Sequence, residues 1–228
     1  MSMSRNIVLV HGAWADGSSW SKVIPLLEAA GHNVVAVQNQ MSGIAGDTAN
    51  TRAVIDAMKG PTVVVGHSYG GAVVTGAATG ASNVTALVYV AAYAPDEGEM
   101  LGALGEKFPS PPGLQYLAPG PSGLLYMDRA HMAQAFAADA APADGAILAA
   151  TQRPISGALF TDKIGPVAWK QFKSWYQVSE NDLMISPDLE RFMASRANAK
   201  TMSLKSSHAS LVSHPKEIAE MIFEACDA

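Results

Sequence analysis

Short aliphatic runs alternate along this chain with longer stretches in which apolar residues return every three or four positions. Ile7-Val8-Leu9-Val10, within Asn6–Val10, and residues 62–65 are unbroken runs, the pattern of strands buried on both faces. Asn33–Val37 and residues 84–91, 174–178 and 201–204 predict further strands. Between them, Trp20, Ile24, Leu27 and Ala30 recur at helical spacing, with Ser18 or Ser19 able to cap the start and Gly31 as the stop. A helix opened by Asp47 or Thr48 turns Val54, Ile55 and Met58 inward and ends at Gly60-Pro61. Residues 72–78, 188–196 and 215–225 predict further helices. The alternation predicts an α/β fold: a mostly parallel sheet of about six strands, covered by helices on both faces and joined by right-handed crossovers.

The rhythm breaks over residues 95–166. Pro109, Pro111, Pro112, Pro119, Pro121, Pro142 and Pro154 fall here, and no β-branched run appears. Two alanine-rich stretches, residues 129–140 and 143–151, predict helices. The segment reads as a small helical cap inserted into a core built from residues 1–94 and 167–228.

Composition narrows the class. Of 228 residues, 49% are hydrophobic and 15% charged, as in a folded globular protein and unlike a disordered one. A chain of this length forms one domain with a modest insertion and buries roughly 70% of its unfolded surface. The net charge of −5, with no Lys/Arg cluster, argues against a nucleic-acid partner. No apolar run approaches the ~20 residues needed to span a membrane, and residues 7–10 are too short for a signal-peptide core. The lone cysteine, Cys226, has no internal partner, so a reduced, cytoplasmic enzyme is expected.

Gly66-His67-Ser68-Tyr69-Gly70 fits G-x-S-x-G and lies between a predicted strand and a helix of small residues, the setting of a nucleophile elbow. Ser68 is the candidate nucleophile, and Gly66 and Gly70 let strand and helix backbones approach. Attack on a carbonyl creates an oxyanion that needs two backbone N–H donors. Tyr69, directly after the serine, supplies one. Ala13, in the loop His11-Gly12-Ala13-Trp14 after the first strand, supplies the other. His11 is expected to brace that loop by hydrogen bonding, and Trp14 either lines an acyl pocket or packs. Of the six histidines, His208 alone follows a late strand and precedes the last helix, where a general base is needed. His214 reads as the lead-in to that helix. Asp182, beyond the turn after residues 174–178, is the candidate acid; Glu180 is expected to be solvated and Asp188 to cap a helix. Asp96, after an earlier strand, is the alternative acid. The order Ser68, Asp182, His208 is that of the α/β-hydrolase fold. No metal-ligand cluster is seen, so no cofactor is expected.

These residues in this order resemble the α/β-hydrolase superfamily. His11-Gly12-Ala13 and Pro25-Leu26-Leu27-Glu28-Ala29-Ala30-Gly31-His32 are similar to the opening of the plant methylesterase and hydroxynitrile lyase group and its bacterial relatives. Val88-Tyr89-Val90-Ala91-Ala92-Tyr93-Ala94-Pro95-Asp96 resembles the approach to that group's cap. Glu180-Asn181-Asp182, Ser207-His208 and Lys216-Glu217-Ile218-Ala219 resemble its C-terminal third. The resemblance implies a compact sheet without the first two strands of larger members, and a carboxylesterase acting through an acyl-enzyme; the short Ala/Pro-rich cap with few charges leads us to expect a small, largely apolar ester. Ala209 stands where the lyases carry a lysine, which disfavours lyase chemistry. A serine at 68 disfavours the dehalogenases and epoxide hydrolases, which use aspartate. A hydroxynitrile lyase-like enzyme and a ligand-binding receptor on a hydrolase scaffold remain the alternatives.

Overall fold

The aliphatic run at residues 62–65 becomes part of a strand whose every side chain is buried, and the architecture is arranged around it. A computed structural model describes residues 5–228. In chain order these form β1 (Asn6–Val10), a 3₁₀ turn (Gly17–Trp20), α1 (Ile24–Ala29), β2 (Asn33–Val37), α2 (Ile44–Ala57), β3 (Thr62–His67), α3 (Tyr69–Ala77) and β4 (Val84–Val90). Then come α4 (Leu101–Gly105), β5 (Leu117–Pro119), β6 (Leu125–Met127), α5 (Met132–Phe136), α6 (Pro142–Thr151) and α7 (Ala158–Thr161). β7 (Lys173–Ser179), α8 (Pro187–Arg196), β8 (Lys200–Leu204), α9 (Ser210–Ser213) and α10 (Pro215–Cys226) follow.

The main sheet has six strands in the order β2-β1-β3-β4-β7-β8, and every neighbouring pair is parallel. The complete burial of β3 requires cover on both faces, which the helices provide. The chain lays β2 on one side of β1 and then returns to lay β3 on the other. That reversal opens a crevice at the carboxyl ends of β1 and β3, the place where sheets of this kind bind ligands. No helix among the described residues is long and apolar enough to cross a membrane.

Several expected boundaries shift, each for a local reason. Ser18 and Ser19 cap no long helix. Asp16 accepts the Ser18 N–H at 2.8 Å and closes a 3₁₀ turn, and the helix proper begins at Ile24. Ala30 faces solvent rather than the core. The second helix starts at Ile44, not at Asp47 or Thr48, because the Asp47 side chain bonds backward to the N–H groups of Gln40 and Met41. α3 begins at Tyr69, directly after Ser68, rather than at residue 72.

The segment 95–166 differs most from expectation. The helix expected over 129–140 shrinks to Met132–Phe136, and a two-stranded antiparallel sheet of β5 and β6 stands where only loops were expected. Those strands are three residues long, and one ends on Pro119, so no β-branched run marks them.

Candidate active site

β3 runs directly into Ser68, which adopts φ 54° and ψ −125°. This region is costly for a residue with a side chain, and neighbouring backbone holds it there. The Ser68 N–H donates to Val90 O at 3.2 Å, and the Ser68 carbonyl accepts from Gly71 and Tyr93, both at 3.0 Å. A Cβ on Gly66 would lie 2.6 Å from Gly70 O, and one on Gly70 would lie 2.4 Å from Val10 O. Only glycine permits that approach, which presses the elbow against β1.

The loops after β7 and β8 emerge at the same sheet edge, because Ser179 pairs with Leu204 in register. They bring Asp182 and His208 to Ser68. His208 Nε2 lies 2.8 Å from Ser68 Oγ, and its Nδ1 lies 2.5 Å from Asp182 Oδ2. The side chains of His208 and Asp182 are 1% and 0% exposed. Asp182 Oδ1 accepts the N–H groups of Met184 at 2.6 Å and Ile185 at 2.9 Å, so the carboxylate cannot rotate away. A neutral imidazole fits this line with Nδ1–H donated to Asp182 and Nε2 free to accept the serine proton. Ala13 and Tyr69 line the same cavity as Ser68.

Above Ser68 opens a cavity of about 390 Å³. Trp14, Leu101, Phe108, Leu114, Leu159 and Phe160 form much of its wall, and Glu106 is the one charged lining residue among those described. The volume sits at the small end of the range for ligand pockets.

The sequence profile of the alpha/beta hydrolase family matches residues 7–221. The chain belongs to that family. It is 35% identical over 112 residues to the carbendazim hydrolyzing esterase of Nocardioides sp. (strain SG-4G), a match covering 43% of this chain and 46% of the relative. Over 125 residues it is 34% identical to methylesterase 2 of Arabidopsis thaliana, covering 46% of each. With the alpha-hydroxynitrile lyase of the same plant, identity is 32% over 127 residues, covering 50% of this chain and 49% of the lyase. The chain thus spans about half the length of the curated relatives it matches. The crystal structure of a pyrethroid hydrolase from Sphingobium faniae JZ-2 superposes with a TM-score of 0.84 at 22% identity, covering 99% of this chain and 98% of that one. That likeness is one of fold.

Other residues weighed from the sequence occupy definite places in this chain. Asp96 bonds to Lys170 at 2.5 Å, which holds its carboxyl below the ordinary range, while the bond to His208 comes from Asp182. His11 bonds to Gly12 O at 2.9 Å through Nδ1 and accepts the Asn39 N–H at Nε2, bracing the loop that carries Ala13. Trp14 both packs, donating to Leu125 O at 3.2 Å, and lines the cavity. Glu180 pairs with Arg191 at the solvent-exposed surface. Asp188 also pairs with Arg191, and Ser186 occupies the N-cap position expected of Asp188. His214 lies against Ser213 and Asp139.

Three supporting residues escape a reading of the sequence alone. His67, wholly buried, contacts the His208 carbonyl at 2.9 Å through Nε2 and so ties the elbow to the histidine loop. Asp47 accepts the Tyr69 hydroxyl at 2.9 Å beneath the elbow. Glu190 is buried beside Asp182. For Glu190 a signal exists: it falls on the apolar face of α8 with Leu189, Met193 and Ala194.

Burial, reinforced by the neighbouring His208, keeps His67 neutral by lowering its pKa well below the ordinary histidine value. The unfolded chain therefore binds a proton at residue 67 that the folded chain refuses, and stability falls as pH drops below about 6.5. His67→Gln can still donate to the His208 carbonyl but cannot titrate. Denaturant melts from about pH 7.5 to 5 are expected to show a shallower loss of midpoint in the variant than in wild type.

Proposed function

We propose that this protein hydrolyses small, largely apolar carboxylic esters by a serine mechanism, with Ser68 as nucleophile, His208 as general base and acid, and Asp182 as the group orienting the histidine. The observation that carries the reading is the continuous line from Ser68 Oγ through His208 to Asp182, with Ser68 lining an apolar cavity. Ser68 Oγ attacks the ester carbonyl carbon while its proton passes to His208 Nε2. The carbonyl oxygen, now negative, receives the N–H groups of Ala13 and Tyr69. The tetrahedral species collapses as His208 returns the proton to the leaving alcohol, giving an acyl-enzyme on Ser68. Water, deprotonated by His208, then releases the acid. The names of the relatives, an esterase and a methylesterase among them, agree with this chemistry. Ala209 directly after His208 offers no cation for a departing cyanide, which favours ester cleavage over the lyase reaction.

In this reading residues 95–166 serve as a cap over a core of residues 1–94 and 167–228, since Leu101, Phe108, Leu114, Leu159 and Phe160 of that segment wall the cavity. A reducing, cytoplasmic setting suits the buried Cys226.

Ser68→Ala is expected to lower kcat on a p-nitrophenyl ester by up to about a millionfold. A folded variant keeping more than about a tenth of wild-type activity would exclude Ser68 as nucleophile.

The two carboxylates separate cleanly. Asp182→Asn should lower kcat about 10⁴-fold at saturating ester, because an amide favours the wrong imidazole tautomer. Asp96→Asn, which loses only a half-exposed pair with Lys170, should stay within about threefold of wild type. Circular dichroism verifies folding of both. If Asp96→Asn is the more damaging, Asp182 is not the orienting acid.

A further inference from the structure

Beyond the Ser68–His208–Asp182 line, two carboxyl groups are enclosed as deeply as the line itself; Asp47 is satisfied by three donors, whereas Glu190 is not. Glu190, in the first turn of α8, is 0% exposed. Its Oε2 accepts the Ser179 N–H at 2.9 Å, and its Oε1 meets no donor among the described residues. The carboxyl group that interacts with it is that of Asp182.

The charged and titratable groups around it come from several elements. Asp182 lies on the loop after β7, and the hydroxyls of Tyr93 and Tyr176 come from the loop after β4 and from β7 itself. Arg191 follows on α8, but its guanidinium is half-exposed and already paired with Glu180 and Asp188. Among the described residues no Lys or Arg side chain bonds to either carboxyl. Two adjacent ionised carboxylates in such an enclosure repel each other, and one of them keeps its proton. Asp182 receives two backbone N–H groups and the His208 ring, whereas Glu190 receives one amide. The proton therefore settles on Glu190. Burial first, and then the Asp182 charge, raise the pKa of Glu190 well above the ordinary carboxyl value.

We propose that Glu190 is a positioning residue held as a neutral carboxylic acid, donating a hydrogen bond to Asp182 and so fixing the carboxylate that orients His208. A carboxylate has about four acceptor sites, and Met184, Ile185, His208 and Glu190 then supply four donors. This role rests on the reading of Ser68, His208 and Asp182 given above, whereas the protonation of Glu190 does not.

Glu190→Gln is the test, since glutamine is the neutral isostere: its carbonyl accepts from Ser179 and its NH₂ donates to Asp182. The infrared difference spectrum between wild type and variant at neutral pH should show a carboxylic-acid C=O band that shifts in D₂O. The folded wild type holds a proton that its unfolded chain releases above about pH 4–5, so wild-type stability falls as pH rises through that window while the variant lacks this loss. The stability of Glu190→Gln relative to wild type should therefore grow with pH, by up to about tenfold in the folding equilibrium per unit. In ester hydrolysis the variant should keep kcat within about threefold and leave the acid limb of kcat/KM unmoved. Glu190→Leu, which cannot donate, should lower kcat about tenfold or more with KM within about twofold.

Absence of the acid band, or a stability difference that does not change with pH, would overturn the proposal. So would a displacement of the acid limb by about one unit in Glu190→Gln, which would mean that a charge had been removed. Wild-type kcat in Glu190→Leu would overturn the positioning role; should that variant not fold, the glutamine measurements decide. The infrared and thermal measurements need no turnover. A protein with the acid band that cleaves no ester would defeat the hydrolase reading and leave the state of Glu190 standing.

Discussion

Ser68 must hold a backbone conformation that a side-chain-bearing residue avoids, at a cost of about 1–3 kcal/mol. Much of the surrounding architecture supplies the restraint. Three strands contribute: β3 delivers the serine, the end of β4 accepts its N–H through Val90, and β1 lies against Gly70. Strain does not stop at the elbow. Trp14 after β1 and Ala91 after β4 also have positive φ, at 56° and 42°. The three residues lie past the carboxyl ends of adjacent strands, so strained backbone lines the sheet edge where Ser68, Asp182 and His208 come together. Buried strands make this tolerable, because β1, β3 and β4 cannot shift to relax a loop without disturbing side chains packed on both faces.

What could be read from the sequence follows the same physical division. Residues 7–10 and 62–65 announce buried strands because aliphatic side chains on both faces leave one reading open. Gly66 and Gly70 around Ser68 carry information because a glycine requirement is local and steric. The chain order of Ser68, Asp182 and His208 is likewise visible, since a parallel sheet sends the loops after its strands to one edge. The helix starts were less legible. Asp47 looks like a cap in one dimension, but its partners Gln40 and Met41 lie upstream and draw the side chain backward. In segment 95–166, β5 and β6 owe their pairing to one another and to Ile155 rather than to any strand-forming run.

The supporting polar groups were hidden for a different reason. His67, Asp47 and Glu190 are ordinary residues in sequence and become significant only through the company that burial forces on them. A histidine inside G-x-S-x-G has no obvious task until the His208 carbonyl arrives at its Nε2 from a loop 141 residues away. Enclosure also sets their charge states: His67 and His11 are driven toward neutrality by desolvation, while Asp47 is pushed upward yet stabilised by three donors. Positive charge is thereby kept off the histidines flanking the elbow, leaving the region in which an oxyanion would form to the fixed dipoles of backbone amides.

Segment 95–166 does more than line the cavity. The Phe136 carbonyl accepts the Ala209 N–H at 2.9 Å, and Asp139 accepts the Ser207 hydroxyl. Both residues are immediate neighbours of His208. The Phe136 ring also stands edge-on to the His208 imidazole, with centroids 4.7 Å apart. His208 is therefore gripped from three directions: by this segment on its flanks, by His67 through its carbonyl, and by Asp182 through its ring. A displacement of the segment would loosen the imidazole as well as open the cavity. The apolar wall that shapes the cavity and the hydrogen bonds that hold the neighbours of His208 belong to one stretch of chain, so the shape of the pocket and the setting of the imidazole are coupled.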